Sequence, residues 1–162
     1  MVELPDPMRV APLLILTLIL TVPACSAQQD DEAAPSDEEH ADVTAVEVSG
    51  NAGDYTFAVT VESPDTGCGQ YANWWEVVSP DGDELIYRRI LAHSHTDEQP
   101  FTRSGGPVPI ASDSTVVVRA HMNTVGYGGQ ALQGTPAGGF SAVDLPGDFG
   151  DDIDEASPDC AF

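Results

Sequence analysis

Residues 55 to 62 alternate without a break. Tyr55, Phe57, Val59 and Val61 are aromatic or β-branched, and Thr56, Ala58, Thr60 and Glu62 fall between them. A period of two places the first set on one face of a strand and commits that face to a core. Nowhere do ten residues show helical periodicity. The same kind of run predicts strands at 43–48, 71–79 (through Trp74, Trp75, Val77 and Val78), 84–92, 115–121 and 140–145, with a short piece at 107–110. The prolines at 107 and 109 confine that piece to a sheet edge. Turn signals separate the runs, above all Ser49 to Asp54 and Ser79-Pro80-Asp81-Gly82-Asp83. Six or seven strands in about 100 residues, with turns every 8–12, predict an all-β, immunoglobulin-like or fibronectin-III-like sandwich. In such a core either Trp74 or Trp75 is expected to face outward.

The charge balance excludes whole classes of partner. The chain has 162 residues, 27 of them acidic against 5 basic, for a formal net charge of −22. All five basic residues are arginine. Nucleic-acid binding requires a basic face for the phosphates, and none can be assembled here. A polybasic dock onto anionic lipid fails for the same reason. The acids concentrate outside the strands. Asp30, Asp31, Glu32, Asp37, Glu38, Glu39 and Asp42 lie in a segment with no aliphatic core residue, which predicts a disordered, self-repelling tether. Asp144, Asp148, Asp151, Asp152, Asp154, Glu155 and Asp159 make an acidic C-terminal tail. An acidic, lysine-free composition also fits life at high salt or a GC-rich genome.

Residues 10–22 are almost wholly apolar, too short to span a bilayer and of the length of a signal-peptide core. Translation from Met8 would give it a basic start, Met8-Arg9-Val10, whereas from Met1 the residues Glu3 and Asp6 outweigh Arg9. The run ends Val22-Pro23-Ala24-Cys25. This resembles the lipobox of prokaryotic lipoproteins, with an aliphatic residue at −3, a small one at −1 and then cysteine; Pro23 departs from the usual residue at −2. The resemblance implies that Cys25 carries a diacylglyceryl group and becomes the N-terminus after cleavage, and that the protein is anchored outside the cytoplasm, at an outer membrane or cell surface. The alternative is an ordinary signal peptide. The expected organisation is a signal at 1–24, a lipidated cysteine and tether at 25–42, a sandwich at 43–143 and an acidic tail at 144–162.

If lipidation takes Cys25, Cys68 and Cys160 remain as an even pair in an oxidising compartment, where thiols usually pair. Their disulfide would close a loop of about 92 residues, worth on the order of 4–5 kcal/mol in the chain-entropy model. It would tie the tail back to the loop that holds Cys68. Two free cysteines are the alternative.

Few residues offer chemistry. His93 and His95 form an H-x-H pair past the fourth strand, and His121 ends a strong strand beside Met122. Two imidazoles about 6–7 Å apart on one side of an extended segment suit Zn²⁺ or Cu²⁺. The three histidines are therefore a candidate metal site, with Met122 a soft ligand for Cu(I) and Asp97 or Glu98 orienting a ring; loop structure is the competing reading. Arg103, one of four cations after the signal, either pairs with a carboxylate or grips an anionic ligand. Tyr127, in the glycine-rich run Met122 to Gln130, is read as an exposed side chain that contacts a partner or glycan, or as part of a long hairpin connection. That run is no phosphate loop, and Asp152 and Asp154 open no EF-hand because the sixth position is Ser157. No G-x-S-x-G is present.

The stretch His93-Ser94-His95-Thr96-Asp97-Glu98-Gln99-Pro100-Phe101-Thr102-Arg103, with Cys68-Gly69-Gln70-Tyr71 and Trp75-Glu76-Val77, resembles runs in small exported prokaryotic proteins of no established activity. The likeness covers about residues 68–130 and implies no mechanism. The expectation is a monomeric, non-enzymatic binding module at the envelope, held to the membrane by lipid, with an envelope protein or glycan as partner. The alternative is a metal-handling protein that uses His93, His95 and His121 for Cu or Zn.

Overall fold

The structure, a computed structural model, describes residues 39–161. It contains eight strands: β1 (Asp42–Asn51), β2 (Asp54–Glu62), β3 (Ala72–Val78), β4 (Leu85–Ile90), β5 (Phe101–Val108), β6 (Val116–Met122), β7 (Ala131–Thr135) and β8 (Gly139–Val143). They form two antiparallel sheets, β1-β2-β5 and β4-β3-β6-β7-β8, packed as an immunoglobulin-like sandwich. The period-two face of β2 is buried as its alternation dictates, with Phe57, Val59 and Val61 fully enclosed. Against them pack Trp75 and Val77 of β3 and Val116, Val118, Ala120 and Met122 of β6. β1 turns into β2 through Ala52-Gly53, with Asn51 opposite Asp54; Gly53 takes a φ of 85°, the left-handed geometry a two-residue hairpin loop requires.

Two strands differ from their sequence signals. β5 is a full edge strand from Phe101, longer than the predicted 107–110, because its Ser104-Gly105-Gly106 centre carries no alternation. Pro107 sits in it at the sheet edge, as its missing N–H requires. β7 was hidden in a run of glycines and pairs with β8 over five residues.

The central strands β3 and β6 are buried along their entire length, on both faces. An antiparallel sandwich usually leaves one face of each sheet to water. Here the outer face of the larger sheet is covered by the chain after β6 and after β8. Trp74 and Trp75 are accordingly both fully buried, one on each face, and neither is exposed. The predicted disulfide is present: Cys68 and Cys160, 92 residues apart, join the tail to the loop before β3. Near it, Ala161 N donates to Ala92 O at 2.5 Å. The two sheets also meet where Val43 N donates to Gln130 O, and Gln130 N to Asp42 Oδ1.

Candidate functional site

The covered face of the larger sheet holds a polar network. Register pairs Glu76 of β3 with Arg119 of β6 and with Arg88 of β4, so all three side chains project together on the outer face. Glu76 is completely buried; its carboxylate accepts from Arg88 Nε at 2.7 Å and Arg119 Nε at 2.8 Å. A buried carboxylate without such partners would be expelled or neutralised. Tyr127 donates its hydroxyl to Glu76 Oε1 at 2.7 Å and accepts from Trp74 Nε1 at 2.9 Å. Burial, reinforced by the charge of Glu76, pushes the Tyr127 hydroxyl well above its ordinary pKa, so it stays a donor. Arg119 lies 3.6 Å above the Tyr127 ring and Arg88 4.9 Å above Trp74. The tail closes the network from outside: Arg119 Nη1 donates to Phe149 O at 2.5 Å and Arg88 Nη1 to Asp154 O at 2.8 Å.

Beside this network lies a cleft of about 680 Å³, within the size range of small-ligand sites. One wall is the 125–130 loop, another is the chain from Ala142 to Gly147, and the third is the tail at Phe149, Asp151 and Glu155. Arg119 and Tyr127 line it, and Asp42, Asp144, Asp151 and Glu155 bring carboxylates to it. Asp42 is engaged by Gln130 N, while Asp144 and Asp151 are exposed. The cleft therefore offers hydrogen-bond acceptors and aromatic edges, and the charge of Arg119 is already compensated by Glu76.

The expected metal site is not formed. Among the described residues no group of three or more His, Cys, Asp or Glu is placed to hold a metal ion, which removes Cu and Zn as cofactors. The reason is register. His121 stands on the outer face, its ring stacked on Trp74 at 3.7 Å, with Nδ1 donating to Asn73 Oδ1 at 2.7 Å and Nε2 3.5 Å from Glu155. Burial holds its pKa below the usual value, against the opposing pull of Glu155. Met122, one residue on, points into the inter-sheet core on the opposite face. His95 is buried against Phe101, ring centroids 3.7 Å apart, and its backbone N–H donates to Asp65 Oδ2 at 2.8 Å. Burial, then Arg103 and His93, lower its pKa. The exposed His93 ring is tilted against His95 with centroids 4.5 Å apart, closer than an extended segment would place them.

Arg103 pairs with Glu98 at 2.6 Å on a partly exposed surface, and that contact holds the Glu98 carboxyl below its usual range. Tyr127 is not the exposed contact residue expected of a flexible loop, because its ring is turned inward under Arg119 and its hydroxyl is spent in the Glu76 network. Cys25 lies outside the described residues. The residues that sequence reasoning missed are Glu76, Arg88 and Arg119. A lone acid inside the apolar run Trp74-Trp75-Glu76-Val77-Val78 was the available signal, as was an arginine inside Val116-Val117-Val118-Arg119-Ala120. Asp65 was missed too: its side chain is fully buried and accepts from Ser63 Oγ, Ala72 N and His95 N, tying three segments together.

No family model matches the chain, and no solved structure matches it. A protein of Halomicrobium mukohataei named "Putative lipoprotein" is 41% identical over 114 residues, which cover 68% of this chain and 55% of that protein. The chain thus spans about half the length of the curated relative it matches.

Proposed function

We propose that the chain is a lipid-anchored, extracytoplasmic β-sandwich that binds a glycan in the cleft between the 125–130 loop and the tail. The observation that carries the binding half is the cleft itself: a concave site lined by a tyrosine, a phenylalanine and four carboxylates. Sugar hydroxyls are donors that suit carboxylate acceptors, and their C–H faces suit aromatic rings. An anionic ligand is disfavoured by the same carboxylates. The anchor half is supported by Val22-Pro23-Ala24-Cys25 behind an apolar run, and by the lipoprotein name of the Halomicrobium mukohataei relative. The Cys68–Cys160 disulfide fits an oxidising compartment.

Two measurements test it. Saturation-transfer NMR of the full chain against neutral oligosaccharides and against glucuronate-containing ones should show contact with the neutral set, lost in Asp144→Asn/Asp151→Asn. No transfer from either set, or transfer that the double variant retains, refutes the glycan reading. Mass spectrometry of the membrane-extracted protein should find an acylated Cys25 at the N-terminus. An unmodified N-terminus elsewhere refutes the anchor.

A further inference from the structure

The segment after β8 is acidic, yet it covers a face that would otherwise be wet. None of residues 144–161 is buried; Phe149, Ile153, Ala156, Pro158 and Cys160 are half-buried and the rest are mostly exposed. The segment carries seven carboxylates that repel one another. Its attachments among the described residues include the two arginine bonds to Phe149 O and Asp154 O, the Phe149 ring 5.3 Å from the Arg119 guanidinium, the approach of Glu155 to His121, one backbone bond at Ala161, and the disulfide. The arginines grip main-chain carbonyls, so nothing in those contacts depends on a buried tail side chain. On the same face Trp74, Val78 and Val117 are fully buried outside the inter-sheet core, Trp74 under His121, Arg88 and Tyr127. None of residues 144–161 belongs to the inter-sheet core.

We infer that residues 146–161 are a strap latched by Cys68–Cys160, and that reducing this disulfide releases the strap from the outer face of the larger sheet while the sandwich stays folded. An external dithiol does this by thiol–disulfide exchange: the Cys68–Cys160 S–S bond breaks, both sulfurs gain a hydrogen, and the dithiol closes to its own disulfide, two electrons and two protons being transferred. Release takes the carbonyl acceptors away from Arg88 and Arg119, which stay paired with Glu76, while Trp74 remains covered by His121, Arg88 and Tyr127. Release also removes Phe149, Asp151 and Glu155 from the cleft wall. The inference does not depend on what the cleft binds.

The test is amide hydrogen exchange on the full chain, oxidised, reduced with dithiothreitol and alkylated, and as the Cys160→Ser variant. The expected result is exchange over 148–161 faster by about tenfold or more, with unchanged protection in β2 and β6. Unchanged exchange in 148–161 overturns the latch, since the arginine contacts would then suffice. Loss of protection in β2 and β6 as well overturns the strap, because the disulfide would then be a staple of the whole fold.

Discussion

Replacing Glu76 by glutamine keeps the shape of the side chain and removes its charge. The change leaves Arg88 and Arg119, whose side chains are only 10% and 5% exposed, without a counter-ion. Solvent screening does little for groups so enclosed. Removing one partner of a buried pair costs about 3–5 kcal/mol, most of it the penalty of the stranded charge. Two guanidiniums are stranded here, so the upper half of that range is expected. For a described domain of this size that corresponds to a fall in Tm of about 16–20 °C, taking about 2 cal/mol/K of unfolding entropy per residue. Urea denaturation of the full chain, followed by tryptophan fluorescence, measures it as a lower midpoint at unchanged slope. The triple change Glu76→Leu/Arg88→Met/Arg119→Met supplies the control. It strands no charge and should recover most of the loss, because apolar replacement of a buried ionic cluster is often neutral or stabilising. A loss below about 1 kcal/mol for Glu76→Gln, the value of an exposed pair, would refute the argument that this network is a sealed, low-dielectric unit.

Three further outcomes follow from other parts of the structure. His95 is held below its usual pKa by burial, so the unfolded chain takes up a proton that the fold refuses. Stability is then complete above the unfolded histidine value of about 6.5 and falls as pH drops below it, and His95→Phe should flatten the decline seen in denaturation midpoints between about pH 7 and pH 5. A methyl group at Gly105 would sit 2.6 Å from the Tyr87 hydroxyl and 3.0 Å from Trp75, so Gly105→Ala should cost about 1–3 kcal/mol by overpacking, read by thermal melting. With a net charge of −22, the folded chain repels itself, and raising NaCl from about 0.1 to 1 M, which shortens the Debye length from about 10 to 3 Å, should raise Tm; an unchanged or lower Tm would contradict this.

Local pattern carried most of the architecture. The alternation of β2 named its own buried face, whereas the turn expected at Ser49 to Asp54 is mostly strand, β1 running to Asn51 and the loop shrinking to Ala52-Gly53. Cysteine parity named the disulfide. β5 and β7 were poorly legible because glycines interrupt them, and a strand paired through its backbone needs no apolar alternation to hold its place. The metal reading failed for a reason invisible along the chain. His93 and His95 lie in the loop between β4 and β5, with His95 packed on Phe101, whereas the register of β6 turns His121 to the outer face against Trp74.

Sequence by itself determined the fold class, which depends on a period of two, and singled out Cys68 and Cys160 as a pair once Cys25 was set aside for lipidation. Only the tertiary structure decided that both tryptophans are buried, that Glu76 meets Arg88, Arg119 and Tyr127, and that the acidic tail covers a sheet rather than trailing in solvent. Those outcomes depend on how strands separated by tens of residues align across a sheet, and on one disulfide that returns residue 160 to residue 68. No local pattern encodes that alignment, since it is set by the fit of whole faces and by the cost of leaving a buried charge without its partner.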